Sequence, residues 1–365
     1  MSSTWGEKVK LSIFGESHGA AIGVTIDGLP AGELIDFDEI AFQMSRRAPG
    51  NDPTSTSRKE LDIPEILSGI FGNSTNGAPL CAIIRNNDTH SENYEQFSRI
   101  PRPGHADYTS FIRYKGHNDY HGGGHFSGRL TAPMVFAGAV CRQILSRHGV
   151  EIGAHLLSVA EVSDESFNEV NIDGNALKEL TRRPFPVLLP QTEEHMRGTI
   201  EKAKNAGDSV GAVIECAVTG LPAGIGDPIF GGVENKLSSI IFGIPAVKGL
   251  EFGAGFSVAS MRGSENNDPF LFKDGCVKTL TNRHGGILGG ITSGMPIIFR
   301  AAFKPTPSIF LVQQSVDLET SEPASLQIHG RHDPCVAVRA VPVVEALTAV
   351  CIIDLYMGAF GNDIR

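Results

Sequence analysis

Two segments invite a reading as nucleophilic machinery. Gly15-Glu16-Ser17-His18-Gly19 spells G-x-S-x-G, and His121-Gly122-Gly123-Gly124 spells an oxyanion-hole HGGG. Context opposes that reading. A nucleophile elbow turns from a strand into a helix and follows its HGGG. Here residues 8–14 read as a strand, and residues 20–27 are Gly-rich and β-branched and end in Gly28-Leu29-Pro30, so they read as a second strand. The HGGG comes about a hundred residues after Ser17. A serine hydrolase using Ser17 is therefore the weaker alternative, and what remains is a Ser17–His18 pair in a tight turn between two strands.

The other polar residues gather in Gly/Pro-rich loops: 45–50 (Ser-Arg-Arg-Ala-Pro-Gly), 102–107 (Arg-Pro-Gly-His-Ala-Asp), 122–129 (Gly-Gly-Gly-His-Phe-Ser-Gly-Arg), 304–308 (Lys-Pro-Thr-Pro-Ser) and 330–335 (Gly-Arg-His-Asp-Pro-Cys). Loops fixed to a rigid scaffold often carry catalytic groups. Arg47, Arg102, Arg129 and Arg331 offer planar forks of donors suited to phosphate and carboxylate. The 124–129 stretch is expected to open a helix, which would add backbone N–H groups to an anion site. His18 and His105, each beside Gly, are candidates for proton transfer near neutral pH. Asp333-Pro334 reads equally well as an N-cap followed by Pro at the first helical position, and capping does not exclude catalysis.

Four helices are expected to position these loops, at Phe37–Arg47, 127–148, 193–204 and 336–357, the third amphipathic and exposed, the second and fourth apolar nearly all round. Strands are expected at 8–14, 22–27, 80–84, 211–219 and 295–303. Thr25-Ile26-Asp27-Gly28-Leu29-Pro30-Ala31-Gly32 echoes in Ala217-Val218-Thr219-Gly220-Leu221-Pro222-Ala223-Gly224, each copy after a strand and before helix-compatible sequence at 37–47 and 233–242. That marks a duplicated strand–turn–helix unit. The expected class is α+β, a β-α-β sandwich with buried central helices between antiparallel sheets. With no linker or charge block, residues 1–365 read as a single domain.

The net charge of −10 argues against general nucleic-acid or membrane-surface binding, so an anionic ligand needs a local basic cluster. Six scattered cysteines without C-x-x-C read as free, mostly buried thiols, and no metal site is expected. No signal peptide and no apolar run near 18 residues is apparent, which leads to an expected cytoplasmic location.

Taken in order, G-E-S-H-G, R-R-x-P-G, R-P-G-H-A-D, G-G-G-x-x-S-x-R-x-T, G-G-I-L-G-G-I, K-P-T-x-S and G-R-H-D-P-C resemble chorismate synthase across nearly the whole chain. The resemblance implies a lyase that eliminates phosphate from 5-enolpyruvylshikimate 3-phosphate to give chorismate, the last step of the shikimate pathway toward aromatic amino acids. It implies a requirement for reduced FMN that is not consumed, and a homotetramer. It implies that His18 protonates the leaving phosphate with help from Ser17, that His105 protonates reduced FMN, and that Asp333 relays a proton at the flavin. Arg47, Arg102, Arg129 and Arg331 would hold substrate. His125, Ser127, Ala246, Gly289, Lys304, Thr306, Ser308 and Arg331 would approach FMN. His125 and Phe126 replace the usual Arg and Ser, Leu130 a Glu, and Pro245 the residue before Ala246; Asn51-Asp52-Pro53 replaces a Gly/Arg-containing loop. The drift is mainly on the flavin side. Two sources of reduction stay open, the chain's own NADPH-dependent activity or an external flavin reductase, and no G-x-G-x-x-G follows a strand. A non-catalytic flavin- or phosphate-binding homologue is the remaining alternative.

Overall fold

The computed structural model describes residues 3–50, 62–87, 95–273, 275–328, 330 and 332–361. The expected Arg331 site and the Asn51-Asp52-Pro53 substitution lie outside these residues.

Two five-stranded antiparallel sheets enclose two apolar helices. The first contains β1 (Thr4–Trp5), β2 (Lys10–Gly15), β3 (Ala21–Asp27), β4 (Pro64–Ser68) and β5 (Leu80–Arg85), ordered β1-β2-β3-β5-β4. The second contains β6 (Glu151–Val159), β7 (Val162–Ser163), β8 (Ala212–Thr219), β9 (Val247–Phe252) and β10 (Ile297–Phe303), ordered β9-β10-β8-β6-β7. Between them lie α3 (Thr131–Arg147) and α7 (Ala337–Phe360), packed on each other and on both sheets. Ile22, Val24 and Ile26 from one sheet and Ile214, Cys216 and Val218 from the other join one core with Phe136, Ile144, Val344 and Ile352. This is the β-α-β sandwich expected.

Alternation sets which strand face meets the helices. On β8, Ile214 and Cys216 face inward, and the Cys216 sulfur lies 3.8 Å from the Thr348 hydroxyl of α7. Glu215 points to the other face. There it pairs with His155 at 3.1 Å and Arg300 at 3.0 Å, and Arg300 reaches Glu251 at 2.9 Å. Their register places all four side by side across β6, β8, β10 and β9.

The echo is structural. Each copy ends a central strand, β3 or β8, in a Gly with positive φ, 93° at Gly28 and 83° at Gly220. A Cβ at either would lie about 2 Å from a backbone oxygen, of Lys8 or of Gly149. Each turn is locked by one threonine. Thr75 donates to the Pro30 carbonyl at 2.6 Å and accepts from Glu33 N; Thr292 donates to the Pro222 carbonyl at 2.7 Å and accepts from Ile225 N. The helices after the turns are α1 (Phe37–Arg47) and α6 (Val233–Ile241).

Three expectations shift. The helix expected at 193–204 is α5 (Pro190–Asn205), with Pro190 in its first turn, and it buries Met196 and Ile200 rather than lying wholly exposed. The helix expected from 127 is preceded by a short 3-10 turn, Gly128–Leu130, and α3 begins at Thr131. Finally, α7 does have the length and mean hydropathy (1.8) to cross a membrane, although Glu345 and Asp354 interrupt its apolar run. Its apolar stretch is buried inside the protein instead, and only its last residues, Gly358–Phe360, are exposed. Glu345 pairs with Arg46 and Arg142. Asp354 Oδ1 accepts from the backbone N–H groups of Glu7, Lys8 and Val9, which is why β2 starts at Lys10 and not at residue 8. All six cysteines are free and four are buried; burial pushes the Cys141 thiol up to about 12 and that of Cys335 to about 11.

Candidate functional site

The N-terminal ends of both buried helices open onto a cavity of about 1040 Å³. Leu130, Thr131 and Met134 line it from the start of α3, and Val336, Arg339 and Ala340 from the start of α7. The loops singled out by sequence converge here. Arg47, Arg102, His105, His125, Ser127 and Arg129 line one part, and Ala246, Lys304, Thr306, Ser308 and Asp333 another. Ser17, His18 and Gly289 are not on the wall. Gly289 sits in an exposed hairpin turn between Ile287–Leu288 and Ile291–Thr292.

The three glycines 122–124 explain the position of both histidines. Their φ angles are 59°, 86° and 53°, which L-residues with a side chain rarely adopt. A Cβ on Gly122 would fall 2.2 Å from the His18 ring, and one on Gly123 would fall 2.9 Å from the His105 ring. Each imidazole is therefore seated on its own glycine. Ser17 N donates to the Gly124 carbonyl at 3.1 Å, tying the 15–19 turn to the same loop. Ser17 is buried, with its hydroxyl unpartnered, behind Gly122. β2 runs into this turn and β3 leaves it, so no helix follows Ser17 and the hydrolase elbow is absent. Gly122–Gly124 themselves are not helical, but the 124–129 stretch leads into a helix as expected: Ser127 accepts from Arg129 N and caps the 3-10 turn Gly128–Leu130, which runs into α3 at Thr131.

The arginines are not loose surface cations. Arg47 and Arg129 share the buried carboxylate of Asp62: Arg47 donates to Oδ2 at 2.6 Å, and Arg129 donates to Oδ1. Arg47 also donates to Thr131 Oγ1 and the Gly128 carbonyl. Burial pushes the Arg47 guanidinium down to about 10, with Asp62 opposing, so it stays charged at neutral pH. For Asp62, burial favours the neutral acid, but Arg47 and Arg129 prevail and hold the carboxyl below its ordinary value. Arg102 forms a two-pronged pair with Asp107 and stacks over the Phe97 ring at 4.6 Å. Lys304 donates to the Gly104 carbonyl, and burial, with Lys248 nearby, lowers its pKa. Asp333 does not cap α7; the N-cap position is Val336, with no side-chain cap bond. Asp333 instead accepts from Arg339 at 3.0 Å, and Arg339 also donates to the carbonyl of Arg47 at the end of α1.

Residues 9–357 match the family model described as chorismate synthase. The chain belongs to the chorismate synthase family. It is 45% identical to the chorismate synthase of Dehalococcoides mccartyi strain BAV1 over 359 residues, covering 98% of each chain. It is also 45% identical to that of Thermococcus kodakarensis over 350 residues, 96% of each. A solved structure titled "Crystal Structure of Chorismate Synthase" superposes with a TM-score of 0.75 at 26% identity, covering 98% of this chain and 94% of that one. The family is one of enzymes, and its name places the chain in aromatic amino-acid biosynthesis.

Against the family pattern, His125 is fixed at both ring nitrogens. Nδ1–H donates to the Gly15 carbonyl at 2.8 Å, leaving Nε2 to accept from the Ser3 hydroxyl at 2.9 Å. It ties the N-terminal segment and β2 to the glycine loop. Phe126 sits on the cavity wall, 6.2 Å from the Tyr114 ring. Pro245 precedes Ala246, whose φ is 77°, and the Ala246 carbonyl accepts from Lys304 N. Asp62, Asp107, Lys248, His332 and Arg339 escaped the sequence reading. Asp107 and His332 stood inside quoted motifs with no role given, whereas Asp62, Lys248 and Arg339 lay outside any motif. His332 lines the cavity, and burial drives its imidazole down to about 4, so it is neutral at physiological pH.

Proposed function

We propose that the chain is a chorismate synthase, a carbon–oxygen lyase that converts 5-enolpyruvylshikimate 3-phosphate to chorismate and phosphate with reduced FMN. The observation that carries this is the charge of the cavity wall. Among the described residues, six cations line it (Arg47, Arg102, Arg129, Lys248, Lys304 and Arg339) against one carboxylate, Asp333, in a protein of net charge −10. A substrate with a phosphate and two carboxylates, beside a flavin phosphate, calls for such a wall. The size and mixed polar and apolar lining of the cavity also suit a flavin beside a small substrate. Ser127, Ala246, Lys304, Thr306 and Ser308 would hold the flavin.

In the elimination, the C–O bond to phosphate and a ring C–H bond on the opposite face both break, and a second ring double bond forms. The C–H bond is too weakly acidic for a side-chain base alone, so bound reduced flavin would supply an electron transiently and take it back, while the ring proton would pass to the Asp333 relay. His18, whose ring lies next to Ser17 behind Gly122 and not on the cavity wall, would have to reach the departing phosphate past that glycine to give it a proton. His105, which lines the cavity with Nε2 beside Gly123, would protonate reduced FMN bound there. Asp333, aimed by Arg339, takes part in proton relay at the flavin. Arg47, Arg129 and Arg102 hold the substrate's anionic groups. We further assign a cytoplasmic homotetramer of single-domain subunits, reduced either by its own NADPH-dependent activity or by an external reductase.

The test is turnover under strict anaerobiosis. Dithionite-reduced FMN should support stoichiometric release of phosphate and chorismate, and oxidised FMN should not. No phosphate release under reducing conditions would leave the non-catalytic flavin- or phosphate-binding homologue as the better reading. Repeating the assay with NADPH alone identifies the source of electrons.

A further inference from the structure

We propose that Asp107 is a positioning residue that fixes the tautomer and direction of the His105 ring. The inference rests on the function proposed above only for the step that His105 serves. A carboxylate has about four acceptor sites, and Asp107 uses four. Oδ2 accepts from Arg102 N at 3.0 Å and Arg102 Nε at 2.7 Å; Oδ1 accepts from a terminal Arg102 nitrogen at 2.8 Å and from His105 Nδ1 at 2.6 Å. The side chain is buried, and nothing on it is left over for a ligand. It acts on the site only through Arg102 and His105.

The direction of the proton follows from the partners. Two groups approach His105 Nδ1, the Asp107 carboxylate and the Arg102 guanidinium at 3.1 Å. An ionised carboxylate can only accept, and at 2.6 Å it demands a proton between the two atoms. Nδ1 therefore carries hydrogen, and Nε2 is the atom that exchanges protons, beside Gly123 on the platform. When imidazolium gives up its Nε2 proton, the neutral Nδ1–H ring that remains is the tautomer Asp107 already selects, so no second proton has to move. Burial opposes the Asp107 charge, but the bonds from Arg102 and His105 hold its carboxyl far below the ordinary carboxylate range, and it stays the acceptor throughout.

Asp107→Asn separates this from a purely structural duty. Asn offers one oxygen and one NH₂. Arg102 cannot surrender its protons, so the oxygen turns to Arg102 and the NH₂ to His105. Nδ1 must then accept, and the ring proton moves to Nε2. Such an exchange behind a catalytic histidine costs up to about 10⁴ in turnover by imposing the wrong tautomer.

The experiment is ¹⁵N NMR of the full-length protein at about pH 8.5, with His105 assigned by difference from His105→Ala, together with a double-mutant cycle on turnover. We expect wild-type His105 to be protonated at Nδ1 and the Asp107→Asn protein at Nε2. We expect Asp107→Asn to lower turnover by about 10²–10⁴-fold alone, and by less than about threefold when added to His105→Ala. An Nε2–H tautomer in the wild-type protein overturns the proposal without requiring any variant to fold. So does an Asp107→Asn effect that multiplies undiminished onto His105→Ala. If wild-type protein shows no elimination, the functional reading fails, while the tautomer comparison still decides the role of Asp107.

Discussion

Arg47 and Arg129 share the carboxylate of Asp62, and replacing that residue with asparagine should be costly. The Asp62 side chain has no exposed surface, and those of the two arginines are 3% exposed. The asparagine could accept from one guanidinium while its NH₂ faced the donors of the other. Arg47 would then be left with the repulsion of Arg129 and Arg339, both of which already work against its charge. Removing one partner from a buried ion pair costs about 3–5 kcal/mol, because the remaining charge stays buried. For 365 residues the entropy of unfolding is about 0.8 kcal/mol per kelvin, so the melting temperature should fall by about 4–7 °C. Differential scanning calorimetry at neutral pH measures this directly. The sign with pH also follows. Because the Asp62 carboxyl is depressed in the fold, its contribution is complete above about pH 4 and is lost as pH falls through the lower folded value. Inorganic phosphate supplies a second arm. In Asp62→Asn the guanidiniums that lose their carboxylate should take up the anion, so phosphate at about 50 times its dissociation constant for the variant should raise the variant's midpoint more than the wild type's, by about 2 °C or more. A variant that melts within about 1 °C of wild type would refute the view that Asp62 holds the two arginines in place.

Three further outcomes are expected. His18→Ala and His105→Ala should each lower turnover with reduced FMN by about 10²–10⁴-fold with little change in melting temperature, since both rings rest on glycine in turns; near-normal turnover in either would remove that residue as a proton donor. Asp333→Asn should lower turnover at least ~10-fold with little change in melting temperature, because Asp333 pairs with Arg339 and is not the N-cap of α7; a fully active variant would take it out of the mechanism. His155 lies between Asp164 and Glu215; burial lowers its pKa, but the two carboxylates prevail and raise it, so its stabilisation is full below about pH 6.5 and disappears as pH rises through the higher folded value. Urea midpoints at pH 6 and pH 9 should therefore differ less in His155→Gln than in wild type, and an equal difference would show that His155 is not the group responsible.

Local signals in the sequence carry much of the fold. Helix α1 is legible at both ends because Asp36 accepts from Asp38 N and Glu39 N at the start and Pro49 follows the Ala48 stop. Five of the ten sheet strands, β2, β3, β5, β8 and β10, are legible to within about two residues, whereas β1, β4, β6, β7 and β9 went unread; the Gly-Leu-Pro-Ala-Gly echo locates both locked turns. The loops of the site are also legible, since Gly and Pro mark reversals and Arg, His and Asp stand out within them. Their internal partners are not. Asp62 is 15 residues from Arg47 and 67 from Arg129, and nothing local to either announces a shared carboxylate. Arg339 sits in an apolar helix, six residues beyond the Asp333 it pairs with. The 124–129 stretch leads into a helix as its sequence suggests, with Ser127 as the cap of the first turn, whereas the platform that the three positive φ angles of Gly122–Gly124 make for the rings is not announced by the sequence.

The arrangement answers how an acidic protein can gather anions. The long-range charge is unfavourable, so attraction must come from groups held close to the ligand and shielded from water. Each arginine for which a partner is described is held by an internal carboxylate, which fixes its direction but neutralises part of its charge. Arg47 and Arg129 divide one negative charge between them, so the pair keeps a net positive charge at the wall. Lys248 and Lys304 add two more cations to the wall. The start of α3 and the start of α7 meet the same cavity, and neither N-cap residue, Leu130 or Val336, makes a side-chain cap bond. The positive ends of two buried helices therefore add to the field where the lysines and arginines act. Burial of α3 and α7 between the sheets is thus more than a matter of packing, because it also directs both helix dipoles at the site. The apolar centre of the sandwich and the polar chemistry at its edge are in this sense set by the same two helices.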